Sequence, residues 1–389
     1  MNRISEDRID RDVISPDALD EANQESGPQS EDNQPKAQVY SHLKAFAFPD
    51  RLDALRENRL AAPVNIRIKP INHCNHNCWY CAYRVDNLQL GEDIDYKDKI
   101  SQDKMFEIVD DVVEMGVAAV TFSGGGEPLI YKPIAEVVER LAAGGVRIGC
   151  LSNGSNLKGK VADAFAEHGT WVRISLDGWD GPSYAAARQI KDDAFDKLIT
   201  NMRDFSARKP NCVLGTSLII GENNYEHIFE TCALLKDVGA EHVKLSAAVV
   251  ANEGAVSNLY HRKIKERVFQ EIEKTRGLED ENFKILNHYH DLSERFDKPY
   301  HTCPVIQFIP VIGADLKVYT CQDKAYTVGG TLGSIANLSF RDFWFSEENR
   351  ERVFSVDPSI HCPHHCTGHA KNLAMHNFLA TNSDHMNFV

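Results

Sequence analysis

The 389-residue chain predicts an α/β fold of parallel βα units, and three observations carry that reading. Short runs rich in β-branched and apolar residues recur at Val64–Ile71, Val117–Ser123, Arg147–Ser152, Trp171–Leu176, Val213–Ile220 and His242–Ala248. Between them lie segments with apolar residues at helical spacing: Ser101–Met115, Ile134–Ala143, Leu157–His168, Ala194–Ala207 and Tyr225–Val238. Beyond residue 278 the alternation stops, and the remaining chain carries short strand-like runs and a cysteine cluster. Strands that alternate with helices pair in parallel, because each helix returns the chain to the start of the next strand. A doubly wound sheet and a curled, incomplete barrel both satisfy the pattern. In either one, ligands gather beyond the C-terminal ends of the strands.

Residues 1–38 are acidic and polar, with almost no aromatic side chains. Such a segment cannot bury enough apolar surface to offset its ordering entropy and is predicted to be a disordered tail. Residues 39–63 read as a helical lead-in, with Leu43, Phe46, Leu52 and Leu55 as its apolar positions. The βα region spans 64–277. Ser101 suits the N-cap of its first helix, and Gly116, Gly144, Gly169 and Gly239 stand where helices should end. A further helix is predicted over Asn258–Arg276, followed by a polar linker at 278–298. Residues 299–389 form the second region, with strand-like runs at Val305–Ile312 and Lys317–Thr320 and a helix-like stretch over Phe340–Val353.

Composition narrows the function. A net charge of −14 and a pI near 5.6 argue against a nucleic-acid backbone as the main partner. No apolar run approaches the ~20 residues of a membrane span, and the N-terminus lacks the apolar core of a secretory signal. Ten cysteines without an export signal read as reduced thiols in a cytoplasm, serving metals or chemistry.

The chemistry concentrates in Cys74-x3-Cys78-x2-Cys81, directly after the first strand. A zinc site prefers four closed ligands. Three thiolates with an open position suit a 4Fe–4S cluster with one iron free. The second strand ends in Ser123-Gly124-Gly125-Gly126-Glu127-Pro128, where glycines permit close backbone approach to a ligand. The third ends in Ser152-Asn153-Gly154, and the fourth places Arg173, Ser175 and Asp177 on one face. Lys244 and Ser246 take corresponding positions in the sixth.

Together these motifs resemble those of the radical S-adenosylmethionine (SAM) superfamily. The resemblance implies a partial (β/α)6 TIM-like barrel whose cluster, on Cys74, Cys78 and Cys81, cleaves SAM reductively to a 5′-deoxyadenosyl radical. It places Tyr80 near the adenine, and Gly124, Gly125, Gly126 and Glu127 at the SAM amino group. Ser152, Asn153 and Ser175 fall near the ribose and carboxylate, with Arg188 beside the carboxylate. Downstream, Cys303, Cys321, Cys362 and Cys366 resemble the ligands of a twitch/SPASM-like α+β domain holding an auxiliary 4Fe–4S cluster. Leu316 departs from that family, standing where glycine is usual, and the last cysteine pair is spaced x3 in place of x2. Four histidines, His361, His364, His365 and His369, crowd that pair and keep zinc as a rival. The resemblance implies a reductant such as flavodoxin or ferredoxin. It points to oxidation or rearrangement of a small polar substrate of sugar, cyclitol or nucleotide type. Modification of a ribosomally made peptide is the alternative enzymatic reading, and a non-catalytic metal-binding scaffold a third.

Overall fold

The structure, a computed structural model, describes residues 40–381 apart from 87, 209, 291, 293 and 294, together with residue 388. The acidic tail predicted at 1–38 lies outside the described residues. Residues His42–Val389 form one compact unit.

After the lead-in helix α1 (Pro49–Arg56), strands and helices alternate as the sequence predicts. They are β1 (Asn65–Ile68), α2 (Gln102–Glu114), β2 (Ala119–Phe122), α3 (Ile134–Ala143), β3 (Arg147–Ser152), α4 (Gly159–His168) and β4 (Trp171–Ser175). Next come α5 (Gly181–Arg188), α6 (Ala194–Ala207), β5 (Val213–Ile220), α7 (Ile228–Asp237) and β6 (His242–Ala247). The local signals explain these elements. Ser101 Oγ accepts the Lys104 N–H at 3.3 Å at the start of α2. Met105, Ile108, Val109 and Val112 then form one buried stripe of that helix. The chain leaves α2 through Gly116 at φ +69°, a conformation that suits glycine.

Strand order decides between the two α/β architectures. The sheet runs β10-β9-β8-β1-β2-β3-β4-β5-β6-β7, and β1 to β7 pair in parallel in sequence order. A doubly wound sheet reverses direction at a switch point; here none occurs. Right-handed crossovers that always step the same way put every helix on one face, and the sheet curls away from them as a partial barrel. Ile66, Ile68, Val120, Phe122, Ile148, Cys150, Val172 and Ile174 are fully buried in one core with the helices. The alternate positions face the lumen.

The C-terminal third differs from expectation in three places. The polar stretch 278–298, read as a linker, contains β7 (Lys284–His288), which pairs in parallel with β6. The buried side chains of Phe283 and Ile285 hold it there, too few to give a periodic signal. The helix predicted over Asn258–Arg276 is two helices, α8 (Gly254–Arg262) and α9 (Lys265–Thr275). The strand-like run Val305–Ile312 divides into a helical turn α10 (Val305–Phe308) and β8 (Val311–Ile312), with Pro310 between them. A short apolar run of this kind does not distinguish buried helix from strand.

Strand β8 pairs in parallel with β1, Arg67 opposite Val311, and then turns into antiparallel β9 (Lys317–Tyr319) and β10 (Thr331–Ser334). The β8–β9 turn holds Leu316 at φ +60°. This is why glycine is usual there: a side chain in the left-handed region costs about 1–2 kcal/mol. Helices α11 (Phe340–Trp344), α12 (Glu347–Ser355), α13 (Pro358–His361) and α14 (His369–Leu379) complete the chain. A small second core joins the lead-in to this end through Leu52, Phe308 and Met375. Among the described residues no helix is long and apolar enough to cross a membrane.

Candidate active site

The first cysteine loop is held from two sides. Below it, the Gly126 N–H donates to Ile71 O and the Glu127 N–H to His73 O, each at 3.0 Å. This contact leaves no room for a side chain. A Cβ on Gly126 would stand 1.9 Å from His73 O, and one on Gly125 would stand 2.1 Å from Asn72 Oδ1. A Cβ on Gly124 would stand 1.8 Å from Gly126 O. Gly126→Ala is therefore expected to cost about 1–3 kcal/mol and to lower iron retention at this loop; thermal unfolding and iron assay measure both. From the other side, the Asn77 N–H donates to Arg188 O at 3.0 Å and the Trp79 N–H to Ala187 O at 3.4 Å. The loop thereby satisfies carbonyls left open at the end of α5.

Glu127 braces the ends of β2 and β3. Its Oε1 accepts from Ser152 Oγ at 2.6 Å and the Leu129 N–H at 2.9 Å, and its Oε2 accepts the Asn153 N–H at 2.7 Å. Burial pushes its pKa up, against the pull of these hydrogen bonds. Asn153 Nδ2 donates to Asn75 Oδ1 at 2.9 Å, tying the β3 end to the cysteine loop. Ser175 sits apart from this network, on the lumen side of β4, with its Oγ 3.4 Å from Ser217 Oγ.

Arg188 is the hub of the opposite side. Its Nη2 donates to Asp177 Oδ2 at 2.7 Å, and both side chains are almost wholly buried. Nε and Nη2 donate to Leu176 O at 3.1 Å, while Nη1 donates to Cys78 Sγ at 3.3 Å. The Tyr80 hydroxyl also donates to Asp177 Oδ2, and Asp177 Oδ1 accepts the Ile219 N–H at 2.6 Å. Burial opposes the Arg188 charge, yet Tyr80, Asp177 and Cys78 hold its pKa well above the usual value. Asp177 thus leaves the face it would share with Arg173 and Ser175, through a backbone φ of +68°, and becomes the partner of Arg188. Sequence spacing gave no sign of that turn. Next to this hub, Trp79, Tyr80, Asp177, Trp179 and Asn224 line a cleft of about 170 Å³.

Lys69 is a residue that the sequence motifs do not single out. Fully buried, its Nζ donates to Tyr83 Oη at 2.7 Å, to Gln322 Oε1 at 3.0 Å and to Gly124 O. Burial, and Arg67 after it, lower its pKa well below the lysine range. Lys69 links the glycine run to the residue after Cys321.

The second cysteine set also converges. Burial raises the Cys321 pKa, and Asp323, Cys366, Cys303 and Cys362 add to the shift. Burial pushes Cys303 to about 11 and Cys366 to about 12. Asn372 Nδ2 donates to Cys303 Sγ at 3.3 Å. Thiols held protonated in this way release protons when a metal takes them. Among the described residues, no three His, Cys, Asp or Glu side chains close on a point suited to a single metal ion. A tetrahedral zinc site brings its sulfurs to within about 4 Å of one another, given Zn–S of about 2.3 Å. An iron–sulfur cubane gives each thiolate its own iron and spreads them wider. Cys150 is fully buried on the helix side of β3 and reaches neither set.

Comparison with known proteins agrees with this geometry. The family model described as the radical SAM superfamily matches residues 68–235. A GTP 3′,8-cyclase of Thermodesulfovibrio yellowstonii is 32% identical over 139 residues, 34% of this chain and 41% of the relative. A probable GTP 3′,8-cyclase of Metallosphaera sedula is 22% identical over 285 residues, 71% of this chain and 81% of the relative. Streptococcus suis SuiB, crystallised with its precursor peptide SuiA, shares the fold at a TM-score of 0.56 and 16% identity. That match covers 86% of this chain and 76% of SuiB. The chain spans 41% and 42% of the length of the first two curated relatives it matches.

Proposed function

We propose that this chain, which belongs to the radical SAM superfamily, acts on a small polar substrate held in the barrel lumen between its two cysteine sets. One observation supports the reading most. Cys74, Cys78 and Cys81 follow the C-terminal end of β1. Cys303 precedes β8, which is parallel to β1, and Cys321 follows antiparallel β9, so these two lie toward the opposite end of the lumen. Charged side chains deep between the two ends suit a small molecule better than a ribosomally made peptide, which remains the alternative substrate.

When bound at Cys74, Cys78 and Cys81, a 4Fe–4S cluster supplies the electron that splits SAM into methionine and the hydrogen-abstracting 5′-deoxyadenosyl radical. The protein's own contribution is electrostatic and positional. Arg188 gives the Cys78 sulfur a charge-assisted hydrogen-bond donor. Glu127 and Asn153 fix the loop ends, and the aromatic cleft around Tyr80 and Trp79 limits water. Cys303, Cys321, Cys362 and Cys366 would hold an auxiliary 4Fe–4S cluster, suited to accept one electron in an oxidation. Reductant comes from outside, from a flavodoxin or ferredoxin.

Anaerobically reconstituted protein given dithionite and SAM should release 5′-deoxyadenosine, and failure to do so with both clusters in place ends the proposal. Cys303→Ala should lose about four iron atoms, one cluster, while the Cys78 loop keeps its own. Unchanged iron would remove the auxiliary site.

A further inference from the structure

Lys69 is a buried cation to which the SAM-cleaving chemistry gives no task. Its N–H donates to Ile312 O at 2.9 Å, which carries the pairing of β1 with β8 one residue further and keeps Lys69 on the face opposite to Ile68. The side chain is wholly buried. Its Nζ has three acceptors: Tyr83 Oη at 2.7 Å, Gln322 Oε1 at 3.0 Å and Gly124 O. An ammonium has three protons to donate, and these groups take all of them. None of the three is a carboxylate. Arg67, two residues earlier on the same face, works against the ammonium, while Cys81 and then Asp323 favour it. Asp323 is engaged elsewhere, its Oδ2 accepting the Thr367 N–H at 2.7 Å and Thr367 Oγ1 at 2.9 Å. A buried charge is costly unless an opposite charge stands beside it.

Two of the acceptors come from the two cysteine regions. Tyr83 lies two residues beyond Cys81, and Gln322 directly follows Cys321. The segments that carry them are bonded to one another along a seam. Gln322 Nε2 donates to Tyr83 Oη, Gln89 Nε2 to Asp323 O at 3.2 Å, and the Asp93 N–H to Tyr326 O at 2.9 Å. The Tyr83 and Tyr326 rings meet edge to face at 5.9 Å. Lys69 stands where this seam meets the glycine run, through its bond to Gly124 O. Cysteine binds iron as the thiolate, so cluster loading adds negative charge at both residues from which the seam departs.

We infer that Lys69 is a positioning residue shared by the two cysteine sets: its ammonium ties Tyr83 to Gln322 and is the buried counter-charge of the clusters that Cys81 and Cys321 help to hold. The inference rests on the reading that both sets bind clusters. A cation fixed near a cluster favours the reduced form, which carries one more negative charge, and burial keeps solvent from screening it.

The test is an anaerobic redox titration of the reconstituted full chain carrying Lys69→Met or Lys69→Gln, followed by the electron paramagnetic resonance signal of the reduced clusters. Cys303→Ala and Cys78→Ala backgrounds report the first and the second cluster separately. Loss of the charge is expected to lower the potential of each cluster by at least about 59 mV, a tenfold change in the ratio of reduced to oxidised cluster. Lys69→Gln keeps a hydrogen-bond donor, so a shift common to both variants comes from the charge. Iron assays and urea unfolding accompany the titrations. Iron-replete variants whose potentials equal those of the parent overturn the inference, even where they unfold more readily, since Lys69 is then a structural strut. A shift of one cluster alone overturns the shared role. Folded variants that lose iron from both sets uphold the tie, and loss from one set alone overturns it. Where Lys69→Met does not fold, Lys69→Gln decides. A Cys78→Ala protein without iron removes the auxiliary cluster proposed above and the shared role with it, whereas unchanged potentials in iron-replete protein remove this inference alone.

Discussion

Cys78→Ala is expected to abolish 5′-deoxyadenosine formation and to remove about four iron atoms per chain, one 4Fe–4S cluster. Two losses combine at this position. The loop keeps two thiols, too few to hold a cluster that already leaves one iron open. Arg188 Nη1 also loses the sulfur it donates to at 3.3 Å and turns its charge on an empty space. Cys150→Ala is the matched control. Its sulfur is fully buried among helix-facing apolar residues, so the substitution should cost about 1 kcal/mol of packing and leave iron and SAM cleavage intact. Retained cleavage in Cys78→Ala, or its loss in a folded Cys150→Ala protein, would show that the reactive loop has been misplaced.

The second large effect concerns the fold as much as the site. Arg188→Met should destabilise the protein by about 3–5 kcal/mol, because it strands Asp177 as an uncompensated buried charge. The side chains of this pair are 4% and 2% exposed, so water cannot replace the missing partner. The double change Asp177→Asn with Arg188→Met removes the stranded charge and should recover much of that stability. It should not recover SAM cleavage, since the donor to Cys78 is still absent. Urea unfolding of the two proteins separates these outcomes. Equal instability of the single and double variants would mean that Arg188 acts through packing and not through its charge.

Several features of the site were legible from residues alone because each answers a local demand. Glycine is needed at 126 where the His73 carbonyl passes, at 125 against the Asn72 side chain and at 124 against the Gly126 carbonyl, and the clashes at 1.8–2.1 Å show that alanine does not fit. The two cysteine spacings and the alternating runs β1 to β6 are equally local. Strand β7 escaped because polar neighbours surround its few buried residues, and α10 because four apolar residues have no period. The Asp177–Arg188–Tyr80 network was invisible for a different reason: it depends on one positive φ and on three segments meeting in space. Arg173 and Lys244 could be placed on an inner face of the sheet, but what faces them depends on the C-terminal packing.

That packing bears on the order in which the molecule is put together. Strand β1 takes β8 as its outer neighbour, and the Tyr326 hydroxyl reaches back to Asn72 across 254 positions. Contacts so distant in sequence form late, after the entropy of closing a long loop has been overcome. On a ribosome the N-terminal strands emerge first and fold as units while the rest is still being made. The first cysteine loop can therefore take shape with one edge of β1 bare and the lower mouth of the barrel open. Arrival of the C-terminal residues then supplies the outer neighbour of β1 and closes the barrel at that edge.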